Sequence, residues 1–234
     1  LEQKTFKAAD GSLNYCQGFY NASEPGAPAI LVFLHGVGER GEENLAQNRL
    51  AVPEIVRNIR ANRRKVVLLA PQCPSSEFWA PLRRNGKAVG KDTHPGSALA
   101  RIPALVREKI AEFRADPNRV YVTGLSMGGH GTWEIARRNP ELFAAAIPIC
   151  GGGDPAWAES LKNMPLRIYQ GADDELVPAT LSRAMHEALK KAGCVDVGYT
   201  EYAGVGHNSW DPAYEDPETL DWLFRQKKSE PAAR

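Results

Sequence analysis

The chain has 234 residues, 43% of them hydrophobic and 24% charged, a composition that supports a sizeable core and excludes intrinsic disorder. Lys and Arg number 29 against 28 Asp and Glu, and a net charge of +1 gives no electrostatic basis for a nucleic acid partner. The longest apolar runs, residues 29–34 and 66–70, fall far short of the ~20 residues that cross a bilayer, so no membrane span is expected.

In chain order, strands are predicted over 4–8 and 13–20, the pair resembling an antiparallel meander, and then over 30–34, 66–70, 120–123, 145–149, 166–169 and 197–202. Helical patterns fall between them at 51–62, 97–114, 127–138, 179–192 and 213–226, the fourth closed by Gly193 in a position that favours a left-handed cap. Alternation of this kind predicts an α/β fold with a mostly parallel central sheet and helices on both faces. The runs at 30–34 and 66–69 are apolar at every position, as strands covered on both sides should be. We expect one domain over 1–234, with an irregular insertion near 71–96 and a frayed end at 227–234. Cys16, Cys73, Cys150 and Cys194 lie at long, unequal spacings with no paired metal signature, so free thiols and no metal are expected. Asn21-Ala22-Ser23 matches a glycosylation triplet but receives little weight. Numbering opens at Leu1 rather than Met, consistent with a processed leader, and the expected location leans to secreted or periplasmic over cytoplasmic. Oligomeric state is not legible.

Gly124-Leu125-Ser126-Met127-Gly128 follows the strand at 120–123 and opens a helix, the context a nucleophilic serine elbow requires. Small residues two before and two after the serine let strand and helix approach, and Gly124 and Gly128 meet that need. An ordinary serine in a glycine-rich loop is the bland alternative, and the placement argues against it. A serine needs a base and a carboxylate to orient that base. Of five histidines, His207, in a loop directly after the last strand, is favoured; His130 is the runner-up, His186 reads as a surface helix residue, and His35 and His94 lack a comparable argument. The acid is expected after the strand at 166–169, where Asp173, Asp174 and Glu175 compete and spacing does not choose; Asp154 is a more distant candidate that could instead cap a short helix. An oxyanion needs backbone donors, expected from the N–H of Met127 and of Val37 in the glycine loop 36–41. That loop also fits a dinucleotide fingerprint, but Glu39, Glu42 and Glu43 beside it and the missing ribose-binding acid after 66–70 argue against a nucleotide.

These segments, together with Ala70-Pro71-Gln72-Cys73-Pro74 and residues 204–214, resemble the α/β-hydrolase superfamily, and more closely its phospholipase/carboxylesterase and dienelactone-hydrolase-like serine esterases. The resemblance covers almost the whole chain and includes a predicted-peptidase-like branch near feruloyl esterases. It implies that the pattern Gly-x-x-Asp-x-x-Val-Pro falls on Asp174 and that His207 matches the family histidine. Dienelactone hydrolases proper carry cysteine where Ser126 stands, and Met127 departs from the Gln usual in acyl-protein thioesterases, looking more like feruloyl and polyester-cleaving esterases. The expectation is a cofactor-free serine carboxylesterase with Ser126, His207 and Asp174 as its triad. The expected substrate is a small-molecule or saccharide-linked ester, with Trp79, Trp157 and Trp210 as aromatic candidates near it, Trp79 and Trp210 foremost. Alternatives are a feruloyl or acetyl-xylan esterase, a peptidase of the same fold, and a non-catalytic hydrolase-like binding protein.

Overall fold

The computed structural model describes residues 1–84, 87–89 and 97–228. Along the chain lie β1 (Glu2–Ala8), β2 (Gly11–Tyr20), β3 (Ala29–Leu34), α1 (Val52–Ala61), β4 (Val66–Pro71), β5 (Leu82–Arg84), β6 (Lys87–Val89), α2 (Ala98–Phe113) and β7 (Val120–Leu125). They are followed by α3 (Met127–Arg138), β8 (Ala145–Ile149), α4 (Ala158–Leu161), β9 (Leu166–Gly171), α5 (Ala179–Lys191), β10 (Val197–Tyr202), α6 (Trp210–Glu215) and α7 (Pro217–Arg225). Eight strands form one sheet in the order β1-β2-β4-β3-β7-β8-β9-β10. The pairs β1–β2 and β2–β4 are antiparallel, and every pair from β4 to β10 is parallel.

Successive side chains of a strand point to opposite faces, so an all-apolar strand needs cover on both. Ile30, Val32 and Leu34 of β3 belong to one core cluster with Ile102 and Val106 of α2 and Leu189 of α5, whereas Leu31 and Phe33 belong to a second with Ile55 and Ile59 of α1 and Leu223 of α7. The chain runs from β3 to β4 on one side and then to β7 on the other. This reversal leaves a crevice outside the carboxyl ends of β3 and β7, the place where open α/β sheets hold their ligands.

Helix α5 ends as its sequence predicts: Gly193 has φ +74, its N–H donates to Lys190 O at 3.0 Å, and the Cys194 N–H donates to Leu189 O at 2.9 Å. The last helical pattern, expected as one helix over 213–226, is two, because Pro217 lacks an N–H and turns Asp216 to extended backbone (φ −70, ψ 112), where its carboxylate accepts the Glu218 N–H. The stretch expected to be irregular near 71–96 carries an antiparallel hairpin, β5–β6, outside the main sheet. Asn21 spends its side chain inside the fold, donating to Ile59 O and Arg64 O at 3.0 and 2.7 Å.

Candidate active site

Ser126 joins β7 to α3 with φ 55 and ψ −117, a backbone conformation that costs a non-glycine residue about 1–3 kcal/mol. Its N–H is held by Ile149 O at 3.0 Å and Cys150 Sγ at 3.2 Å. The neighbouring glycines are dictated by contact: a Cβ on Gly124 would lie 2.5 Å from Gly128 O, and one on Gly128 would be driven into the carbonyl of Leu34.

His207, in the loop after β10, reaches Ser126 Oγ with Nε2 at 2.8 Å and Asp174 Oδ2 with Nδ1 at 2.8 Å. An ionised carboxylate only accepts, so Nδ1 carries the proton and Nε2 is left to accept from the serine hydroxyl. Asp174, fully buried, also accepts the N–H groups of Leu176 and Val177 on Oδ1 at 2.9 and 2.8 Å, and the Gln170 amide on Oδ2 at 2.8 Å. Gln170 is itself fixed by the Ser182 hydroxyl, 2.8 Å from its Oε1. Burial pushes the Asp174 carboxyl up, but the bonds from His207 and from the Val177 and Leu176 backbone outweigh it and hold the group below its ordinary value. Asp173 is exposed.

Val37 opens the short 3-10 helix Val37–Glu39 after β3, and Met127 opens α3; the first N–H of a helix has no acceptor within it. Both residues line a cleft of about 400 Å3 with Ser126, His207 and the apolar Leu50, Leu125, Leu176, Val177 and Trp210. Val37, Leu50 and Leu176 are exposed, which makes the mouth of the cleft hydrophobic. Trp210 meets His207 edge-on, with centroids 5.5 Å apart.

Trp79 does not reach the cleft. It is fully buried, packs edge-on against His35 at 5.2 Å and donates its indole N–H to His35 O at 3.1 Å, so it is a core residue and the expectation of substrate contact is corrected. His35 in turn accepts the Cys73 N–H on Nε2 at 2.9 Å and donates from Nδ1 to Gly36 O at 2.6 Å, bracing the loop that carries Val37. His130 is buried with Nδ1 2.6 Å from Gly152 O, His186 lies tilted against Tyr199 away from the cleft, and His94 lies outside the described residues. Burial drives both His35 and His130 down to about 4. Asp154 caps the short helix Pro155–Trp157 through the Ala156 N–H at 3.0 Å. The glycine loop leads into that single 3-10 turn after β3, not the long helix a dinucleotide site requires.

Sequence reasoning missed Gln170, Ser182 and Cys150. Cys150 has φ +41 and lies behind the serine, and burial pushes its thiol up. Among the described residues all four cysteines are free, no three metal-ligating side chains cluster, and no helix is long and apolar enough to cross a membrane.

Comparison with known proteins agrees with the fold. A solved structure of a thermostable esterase superposes with a TM-score of 0.86 at 37% identity, covering 97% of this chain and 63% of that one. Feruloyl esterase B of Neurospora crassa is 32% identical over 144 residues, 61% of this chain and 46% of that protein. Poly(3-hydroxyalkanoate) depolymerase C of Paucimonas lemoignei is 47% identical over 57 residues, 24% and 14% respectively. The chain thus spans less than half the length of either curated relative. The model of the dienelactone hydrolase family matches residues 83–218, more than half of the sequence. With this match and an eight-stranded, mostly parallel sheet carrying the serine turn at its switch point, the chain belongs to the dienelactone hydrolase family of α/β-hydrolases.

Proposed function

We propose that the protein hydrolyses carboxylic esters through an acyl-enzyme formed on Ser126. The observation that carries this reading is the unbroken chain Asp174–His207–Ser126, with both links at 2.8 Å, ending in a strained serine at an apolar cleft. Ser126 Oγ attacks the ester carbonyl carbon while His207 Nε2 takes its proton, and Asp174 fixes the ring and stabilises the imidazolium. The N–H groups of Met127 and Val37 bind the oxyanion, each such donor typically contributing ~100 to 1,000-fold in rate. Collapse breaks the bond to the alcohol oxygen, which takes the proton from His207, and a water activated by His207 then releases the acid. The chemistry uses protein groups alone.

The apolar wall of Leu125, Leu176, Val177 and Trp210 suits a hydrophobic acyl group. A feruloyl-type acyl group is the second reading, favoured by the aromatic Trp210 beside His207 and by the name of the Neurospora relative. Ser126→Ala should abolish turnover of a small aryl ester and labelling by a fluorophosphonate probe while leaving the thermal melt in place. Labelling that persists in this variant would overturn the assignment, and absence of labelling in the parent protein would point to a binding protein instead.

A further inference from the structure

The turn that carries the Val37 N–H has little of its own to hold it. Residues Val37–Glu39 form a single 3-10 turn, and the bond from Glu39 N–H to Gly36 O is long at 3.4 Å. Its outer side lends no support: Val37 is exposed, and a Cβ on Gly38 would meet nothing within 4 Å. An oxyanion donor acts only when it stands where the charge develops, and a misplacement of about 1 Å can cost ~100-fold in rate. The direction of this N–H is therefore set from beneath the turn.

Gln72 meets the turn from that side. It follows β4, a strand buried at every position and paired on both edges, with β2 and β3, so its backbone stands on a rigid base. The side chain is 1% exposed. Its Nε2 donates to Glu39 O at 3.0 Å and to Glu43 Oε1 at 2.7 Å, and its Oε1 accepts the Asn44 N–H at 2.6 Å. Two acceptors face the amide nitrogen and one donor faces the amide oxygen, so the reverse orientation would break all three contacts.

These partners are themselves anchored. Glu39 O is the last carbonyl of the turn, a group with no acceptor role inside so short a helix, and Gln72 satisfies it. Glu43 also accepts the Ala46 N–H at 3.1 Å, and Asn44, at φ 56, donates from its side chain to Lys4 O and Tyr15 O at 2.9 and 3.1 Å. The next residue along adds a backbone tether, Gly41 N–H to Cys73 O at 3.0 Å. Arg40 bonds Val37 O at 3.2 Å as well, but from the solvent side, where water competes. Gln72 does not line the cleft, so it can influence the reaction only through the turn.

We infer that Gln72 is a positioning residue for the oxyanion hole: by holding Glu39 O it fixes where the Val37 N–H points. The inference rests on the ester-hydrolase reading and deepens it.

The test is a double-mutant cycle in kcat on a small aryl ester, with active sites counted by fluorophosphonate labelling carried to completion. Val37→Pro deletes the donor itself. Proline suits the first position of a helical turn, and Gly36 before it is already extended (φ −77, ψ −179), so this variant should fold and lose about 100-fold in kcat. Gln72→Met removes the three amide bonds at similar length and should lower kcat by about tenfold with KM within twofold. In the Val37→Pro background the same change should cost less than twofold, because the group it positions is gone. Gln72→Glu, which keeps the acceptor for the Asn44 N–H and loses both donations, is the second variant, and thermal melts identify whichever one folds. A general loosening would lower kcat equally in both backgrounds. Additive losses, an effect on KM alone, or an unchanged kcat in a folded Gln72 variant overturn the inference. An unchanged kcat in Val37→Pro removes the donor and this inference with it, while labelling and turnover leave the ester reading standing. Absence of labelling in the parent protein removes that reading itself.

Discussion

Acid should unfold this protein through two histidines that the fold keeps neutral. His35 and His130 are each driven by burial to about 4 from an ordinary 6.5. Between those values the unfolded chain binds protons that the native state refuses, so stability is full above about pH 6.5 and falls as pH drops toward 4. Each pKa unit is worth ~1.4 kcal/mol, so each histidine withdraws on the order of 3 kcal/mol across the window. The two together rival the ~5–15 kcal/mol total stability of an ordinary domain. For His35 the structural reason is explicit: protonating Nε2 sets an N–H against the Cys73 N–H that it accepts at 2.9 Å. Urea unfolding followed at half-unit steps from pH 7 to 5 should give a slope of about 2.4 kcal/mol per pH unit midway through the window, half of it from each ring. His35→Gln, whose amide can both accept and donate, should halve that slope whatever it costs at pH 7. A flat profile between pH 6.5 and 5, or a slope unchanged by the substitution, would refute the account.

Other outcomes follow from the same contacts. Asp174→Asn should cut turnover of an aryl ester by ~10⁴-fold by favouring the wrong His207 tautomer, whereas Asp173→Asn at its exposed neighbour should stay within a few-fold of the parent. Gly128→Ala should drop the melting temperature sharply, or prevent folding altogether, since the added methyl meets the Leu34 carbonyl with no flexible side chain to yield.

Legibility from sequence tracked how local the deciding force is. Strands β3, β4 and β7 are apolar at every described position except Thr123 and Gly124, and a run covered on both faces announces itself without knowledge of its neighbours. The serine turn was readable because strand, glycines and helix stand next to one another in the chain. Spacing did not separate the acid, since three adjacent carboxylates look alike; the resemblance pointed to Asp174, which the fold sets apart by two backbone N–H groups, one amide and a histidine 33 residues away. Trp79 misled for the same reason. It sits in a stretch without periodicity, and the partner that fixes its indole is His35, 44 residues earlier in the chain. Gln170 and Cys150 left no local trace, because a polar strand terminus or a lone thiol gains its role only through distant partners. The split between α6 and α7 was carried by Asp216-Pro217, a pair strong enough to break the helical pattern that spans it.

Ser126 and His207 stand 81 residues apart, and His207 is delivered by the loop that leaves β10, the outermost and least covered of the parallel strands. An edge strand of this kind is expected to open more readily than the buried centre of the sheet, and His207 would move with it. Turnover is then a gauge of the far rim, able to fade while most of the barrel-less scaffold still registers as native by its circular dichroism.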